Sequence, residues 1–325
     1  MKPTRKSNIT SLLRTNVIRS LMLALLGGTG CILAHQAIAA TDTIQTFPVP
    51  AGVFDLASDG ASIWVTNNDF NDGAVTKLRA TDGALLGTFA VGSGPLDITF
   101  DGANIWVANR FSNTVTKLRA SDGATLGTFA VGEGPYAMTF DGQNVWVSNW
   151  TDSTVSKIRP SDGTILGTFD AGPLPDNLTF DGVNIWALNE VSSSVTKLRA
   201  SDGVIVGTFP VPNNGTDLHG LAFDGANIWI GDTNRNRVCQ LRASDGALLG
   251  RHNVRGGPFA LAFDGVHIWV STTSNSVVRL ATGRGTIQHV YSVGNGPAGV
   301  IFDGTSIWVA NSGDDTVSKI DRTPP

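Results

Sequence analysis

The sequence predicts an all-β protein: a seven-bladed β-propeller of four-stranded antiparallel blades, closed by an N-terminal strand that completes the last blade. Three observations carry that expectation. One phrase, an Asp-Gly followed by a strand centred on tryptophan, recurs seven times, with its indoles at Trp64, Trp106, Trp146, Trp186, Trp229, Trp269 and Trp308. The steps between them are 42, 40, 40, 43, 40 and 39 residues, a length that suits four short strands and their turns. Beyond residue 40 no segment shows a helical period, and the 38 glycines of the chain with a period-2 pattern leave room only for sheet.

The elements follow in order. Residues 1–40 combine a basic start (Lys2, Arg5, Lys6, Arg14, Arg19) without acids, an apolar run from Leu21 to Ala34, and Ala37-Ile38-Ala39. This is the pattern of a secretory signal peptide cleaved near Ala39, the run being short and glycine-interrupted for a bilayer span. Gly28-Thr29-Gly30-Cys31 lacks the aliphatic residue that lipid attachment at Cys31 requires. Residues 41–325 are the propeller, starting with a lone strand, Thr43–Val49. Each unit then reads as residues 95–131 do. Leu96–Phe100, Asn104–Asn109, Thr114–Arg119 and Thr125–Val131 are rich in β-branched and aromatic residues. They are separated at Asp101-Gly102 and Asp122-Gly123, hairpin chemistry in which glycine accepts positive φ and aspartate bonds nearby backbone. The first Asp-Gly recurs in all seven repeats, at Asp59, Asp101, Asp141, Asp181, Asp224, Asp264 and Asp303; the second recurs in five, at Asp82, Asp122, Asp162, Asp202 and Asp245. The last repeat has three strands, Ala298–Phe302, Ser306–Asn311 and Thr316–Ile320, so Thr43–Val49 supplies its fourth and hides two sheet edges.

Composition narrows the function. Residues 1–40 carry five positive charges and no negative ones, so the formal net charge falls from −4 for the whole chain to −9 once they are removed. An acidic chain without a basic stripe has no footprint for nucleic acid or anionic lipid. Loss of the leader leaves Cys239 alone, which excludes an internal disulfide; in the alternating stretch Arg237–Leu241 it reads as a small core residue, not a nucleophile. The seven repeat tryptophans read as wedges between blades, each burying roughly 150–250 Å².

Trp-Val-Thr-Asn at 64–67, Trp-Val-Ala-Asn at 106–109, Trp-Val-Ser-Asn at 146–149, Trp-Ala-Leu-Asn at 186–189 and Trp-Val-Ala-Asn at 308–311, with Gly-Thr-Phe-Ala-Val-Gly at 127–132, resemble the YVTN β-propeller repeat over about residues 42–322. Tryptophan stands for that family's tyrosine. The resemblance implies the fold; for function it implies a range, from surface-layer and periplasmic proteins to subunits of redox enzymes. The chain is more distantly similar to the streptogramin (virginiamycin B) lyases, seven-bladed propellers for which the resemblance implies metal-assisted general-base chemistry by glutamates and histidines at the ring's mouth. Here the positions just past the second strand are Asn67, Asn109, Asn149, Asn189, Asp232, Thr272 and Asn311, with no glutamate or histidine pair. The asparagines read as strand-end residues that satisfy the backbone of the next turn.

Repeated residues hold the ring, so specificity belongs where the repeats disagree. In propellers the loops between strands two and three share a face with the loops leading into the next blade. Both length insertions fall there, within Asn67–Ala74 and Pro212–Leu218. Just inside the leading loops stand Phe54, Leu96, Tyr136, Asp176, His219, Phe259 and Ala298, followed by Asp55, Asp97, Ala137, Asn177, Gly220, Ala260 and Gly299. That mixture resembles a pocket lining, with aromatic and acidic groups on the first four blades and small residues opposite. The second loops add Arg110, Phe111, Trp150 and Glu190. Candidate ligand-binding residues are Asp55, Asp97, Arg110, Tyr136, Trp150, Asn177 and Glu190; Trp150, outside the repeat position, reads equally as an exposed contact or a loop cover. His219, with Asp217 two residues before it, is the candidate base, and Asp97, Asp176 and His219 are the candidate ligands for Ca²⁺ or Mg²⁺. No Ser-His-Asp order, P-loop, Cys-x-x-Cys or haem motif supports nucleophilic, phosphoryl or covalent-haem chemistry. The reading is an exported propeller, periplasmic or extracellular, that binds a small molecule or an envelope protein through its loop face without catalysis. The alternative is a metal-assisted lyase or lactonase with a cation at the channel mouth.

Overall fold

The computed structural model describes residues 42–211 and 217–322. The leader expected over residues 1–40, and residues 212–216 of the second insertion, lie outside the described residues. The rest forms seven four-stranded antiparallel sheets. Blades 1 to 6 span residues 53–90, 95–130, 135–170, 175–210, 218–253 and 258–292; blade 7 joins residues 297–321 to Thr43–Pro48. The first strands of successive blades lie side by side in one cycle, blade 7 returning to blade 1, so they line the axis of a closed ring. Blade 2 shows the expected strands with ends moved by one residue: Pro95–Phe100, Asn104–Asn109, Thr114–Arg119 and Thr125–Ala130. Proline opens the first strand in five blades, where its missing N–H removes no ladder bond. Among the described residues the one helical element is a 3₁₀ turn, Thr233–Arg235, and no helix is long and apolar enough to cross a membrane.

Closure follows the sequence. Thr43–Pro48 pairs antiparallel with Thr316–Asp321, from Thr43 opposite Asp321 to Pro48 opposite Thr316. The two chain ends therefore share one sheet.

The repeat tryptophans are fully buried and sit between blades: Trp64 lies in one apolar cluster with Val75 of its own blade and Ile98, Ile105 and Leu118 of the next. Each indole is held on several sides by repeated partners. Its Nε1 donates to the aspartate of its own Asp-Gly turn at 2.7–2.8 Å in all seven blades. The same aspartate caps the turn backbone, Asp101 Oδ1 accepting from the N–H of Ala103 and of Asn104. A fourth-strand phenylalanine lies against the ring, as Phe89 does on Trp64 at 5.5 Å between centroids. A third-strand lysine lies over it: Lys77 Nζ is 4.7 Å from the Trp64 ring and donates to Ala120 O of the next blade at 2.6 Å. Lys117, Lys157, Lys197 and Lys319 repeat this bridge to the blade that follows. The lysine charge is thus buried against carbonyl dipoles and an aromatic face, the pairing that makes such burial tolerable.

Blade 5 departs from that pattern with Gln240 and His252, and blade 6 with Arg279 in place of the lysine and Tyr291 in place of the phenylalanine. The blade after it has no covalent turn between its third and fourth strands, because those strands come from opposite chain ends. Asp42 fills the gap: Tyr291 Oη donates to its carboxylate and Arg279 Nη1 reaches it at 3.2 Å.

The strand-end asparagines correct one expectation. Asn67 and Asn149 do bond a leading loop, Asn67 donating to Pro50 O at 2.7 Å and Asn149 Oδ1 accepting from Gly132 N at 3.1 Å. The amide N–H groups of Asn109, Asn149, Asn189 and Asn311 donate across the sheet to third-strand hydroxyls, as Asn109 does to Thr114 and Thr116 at 3.1 and 2.9 Å. The turn backbone needs them little, because it is already paired with the leading loop, Arg110 N with Gly94 O at 2.9 Å and Trp150 N with Gly134 O at 2.9 Å. Cys239 is fully buried in the core between blades 4 and 5, and burial pushes its thiol up, as befits a packing residue.

Candidate functional site

Every first strand carries a register shift just inside its leading loop. In blade 1 Val53 faces Asn67 and Leu56 faces Val65, so one residue is extra; the same slip occurs between Pro95 and Ile98 and in all the other blades. Such a bulge re-aims side chains at a strand end. In three blades the N–H freed at the bulge is recovered by a second-strand hydroxyl: Asp55 N bonds Thr66 Oγ1 at 2.8 Å, Ala137 N bonds Ser148 Oγ at 2.9 Å and Ala260 N bonds Ser271 Oγ at 3.0 Å. The bulges carry the variable residues to the ring axis.

There they enclose a cavity of about 70 Å³ at the channel mouth, to which every blade contributes: Phe54, Asp55, Asp97, Tyr136, Asp176, Asn177, His219, Gly220, Phe259, Ala260 and Gly299. Of the fourteen positions expected to line it, Leu96, Ala137 and Ala298 do not; these three are buried within the blades. Phe54 and Phe259 meet edge to face at 6.2 Å although a whole blade separates theirs. Gly299 between them makes room, since a Cβ there would come within 2.3 Å of Asp55 Oδ1.

The acidic groups form two separate units. Asp55 and Asp97 hydrogen-bond each other, which requires a shared proton, and Asp97 Oδ2 accepts from Met138 N at 2.8 Å. Burial pushes the Asp55 carboxyl up to about 6 against its bonds to Asp97 and backbone. Asp97 stands well above the usual carboxylate range, because burial is reinforced by the Asp55 charge and hydrogen bond. The second unit is Asp176, His219 and Asp217. His219 Nδ1 lies 3.0 Å from Asp176 Oδ2 and Nε2 lies 3.1 Å from Asp217 Oδ1. Burial pushes Asp176 up to about 6, with His219 opposing. Burial works against the imidazolium too, but the bonds and charges of the two aspartates outweigh it, so His219 keeps its proton above its ordinary range.

The metal candidates are therefore divided. Asp97 is turned to Asp55 and Met138, while Asp176 and His219 hold each other. Among the described residues no group of three or more His, Cys, Asp or Glu side chains is placed to hold a metal ion.

The second-loop candidates come together beside the mouth. The Arg110 guanidinium lies over Tyr136 at 5.2 Å and over Trp150 at 4.9 Å, those two rings stack at 6.3 Å, and Trp150 Nε1 donates to Glu190 Oε2 at 3.3 Å. Burial and the Asp176 charge push the Tyr136 phenol up to about 12. Next to Arg110, Phe111 is 48% exposed and stacks on Phe70, 72% exposed, at 4.7 Å and 18°. Sequence reasoning missed Phe70. Its signal was there, an aromatic residue inside a two-residue insertion on the loop face.

A family model described as outer membrane protein assembly factor BamB matches residues 71–322. No curated protein matches the sequence. Among solved structures, a streptogramin B lyase superposes with a TM-score of 0.74 at 20% identity, over 86% of this chain and 97% of that one. A hydrazine synthase from Kuenenia stuttgartiensis gives a TM-score of 0.74 at 18% identity, over 84% and 96%. At such identities the likeness is one of fold.

Proposed function

The chain belongs to the family described as outer membrane protein assembly factor BamB, and from that premise we propose that it is an exported propeller of the cell envelope that binds a protein partner through its loop face without turning it over. The observation that carries this is the aromatic shelf of Phe70, Phe111, Arg110, Tyr136 and Trp150, which crosses three blades and leaves two stacked phenylalanines open to solvent. Exposed aromatic residues and arginine held in place are what protein interfaces use as anchors. The adjoining cavity speaks against a larger small-molecule ligand, since about 70 Å³ is far below the roughly 300 Å³ of an ordinary ligand pocket. A secretory leader over residues 1–40, a periplasmic or extracellular location and a YVTN-type repeat belong to the same proposal.

The lyase or lactonase alternative draws on fold likeness to a streptogramin B lyase and on the charged Asp176–His219 pair. It calls on Asp97, Asp176, Asn177 and His219 around one cation; in this structure Asp176 bonds His219 while Asp97 accepts from Met138 N.

Site-specific photocrosslinking in the expressing cell tests the partner reading. A photoreactive phenylalanine at Phe111 is expected to give one discrete protein adduct that Phe70→Ser with Trp150→Ala abolishes. The same probe at Leu126, on an outer strand, gives none. Equal adducts from both positions, or none from Phe111, would sink the proposal.

A further inference from the structure

Building on the partner reading of the loop face, we propose that the aromatic shelf takes an extended polypeptide segment bearing a carboxylate two residues from an apolar side chain. The carboxylate pairs with Arg110, and the apolar group covers Phe70 and Phe111.

The first observation is an arginine without an acceptor. The Arg110 guanidinium lies against three rings, 4.9 Å from Trp150, 5.2 Å from Tyr136 and 5.8 Å from Phe111. Among the described residues none accepts a hydrogen bond from it or forms a salt bridge with it. The repeat arginines are engaged within their own turns: Arg79, Arg119, Arg159, Arg199 and Arg242 each reach the aspartate three residues on at 2.8–2.9 Å. Acids of the neighbouring second loops are held by other donors. Glu190 Oε2 accepts from the Trp150 indole, Asp152 Oδ2 from Glu133 N at 2.7 Å, and Asp69 Oδ1 from Asn71 N at 2.8 Å and Asp72 N at 3.1 Å. Arg110 is thus a planar fork of five N–H donors, fixed by rings and open to an incoming acceptor. A carboxylate matches that fork with two parallel bonds, and the fixed rings lower the ordering cost that a free arginine side chain bears on binding. Residues 41–325 sum to a charge of −9, which favours a single carboxylate over a dianionic phosphate.

The second observation is the apolar pair beside that fork. Phe111, 48% exposed, stacks on Phe70, 72% exposed, at 4.7 Å, and the Phe111 ring centre lies 5.8 Å from the guanidinium carbon. In an extended strand residues i and i+2 point to one side, about 6–7 Å apart. An apolar and an acidic side chain at that spacing reach both anchors together, whereas adjacent residues point to opposite sides.

The test is a saturation-transfer NMR titration of the purified protein with acetyl-Gly-Phe-Thr-Glu-Gly-amide, its Glu→Gln analogue and the re-spaced acetyl-Gly-Thr-Phe-Glu-Gly-amide. The first peptide is expected to bind at least fivefold more tightly than either of the others, with transfer to its phenyl protons, and to lose its advantage over the glutamine peptide in Arg110→Gln. Equal affinity for the glutamate and glutamine peptides, transfer to none of the three, or a preference that survives Arg110→Gln overturns the carboxylate assignment. Equal binding of the re-spaced peptide overturns the spacing. The peptide comparison uses the unmodified protein, so it decides even where the variant fails to fold. The two readings fail separately: the partner reading falls if the Phe111 photoprobe captures nothing in the cell, and the carboxylate assignment falls if the peptides are not discriminated although the Phe111 adduct forms.

Discussion

At the residue scale, two glycines with the same local sequence have different tasks. Gly102 and Gly123 both follow an aspartate and both take a positive φ, +95° and +77°. A Cβ on Gly102 meets nothing within 4 Å, whereas one on Gly123 would come within 2.0 Å of the Phe89 ring of the preceding blade. Gly102→Ala therefore pays only the backbone term, about 1 kcal/mol. Gly123→Ala must also push back the phenylalanine that covers Trp64, and is expected to cost at least about 3 kcal/mol. Urea unfolding of the two variants checks this; equal losses would show that the blade contact carries no weight. The aspartates were legible as turn residues. Their bond to the indole was not, because it joins a turn to a ring five residues on, in a geometry that only the folded hairpin creates.

At the element scale, the departures from the repeat in blade 6 become intelligible through Thr43–Pro48. Arg279 and Tyr291 hold Asp42 where every other blade presents a covalent turn, so they fasten the closing strand. Tyr291→Phe restores the residue of five other blades yet removes the bond to Asp42, and is expected to destabilise by about 1–2 kcal/mol. The corresponding change in blade 2, Phe129→Tyr, fastens nothing. Deletion of residues 42–48 is expected to lower the melting temperature of the whole ring by more than 10 °C, since it bares the Thr316–Asp321 edge and uncovers Trp308, stacked by Phe47 at 5.8 Å. An unchanged melting temperature in that truncation would refute closure by the N-terminal strand.

At the scale of the whole molecule, the mouth makes stability depend on pH. Asp55, Asp97 and Asp176 have carboxyls pushed up and His219 keeps its proton longer than usual. In all four the native state holds more protons than the unfolded chain, so unfolding free energy falls as pH rises from about 4 to 7. The turn aspartates Asp101, Asp181 and Asp264 are held below the usual range; their contribution is present above about pH 4 and lost on further acidification, which bounds the effect from below. The urea midpoint is expected to be higher at pH 5 than at pH 7.5. Asp176→Asn should remove about 1–3 kcal/mol of that difference, from a shift of about two pKa units at roughly 1.4 kcal/mol each. A slope unaltered by the substitution would mean that Asp176 and His219 titrate as they do in water.

The sequence by itself determined the architecture: seven blades, four strands in each, the places of the turns, and closure by the first strand. Those features rest on local chemistry repeated many times, period-2 alternation and Asp-Gly turns, which neighbouring residues specify without reference to the rest of the ring. It also marked the variable positions at the mouth, and Asp55, Asp97, Tyr136, Asp176, Asn177 and His219 do line one cavity. Only the tertiary structure decided the partners within it. That Asp97 meets Asp55, that Asp176 meets His219, and that Arg110 lies between Tyr136 and Trp150 depends on side chains about 40 residues apart being turned inward by a bulge in each first strand and brought together by the closing of the ring, a geometry that no single repeat contains.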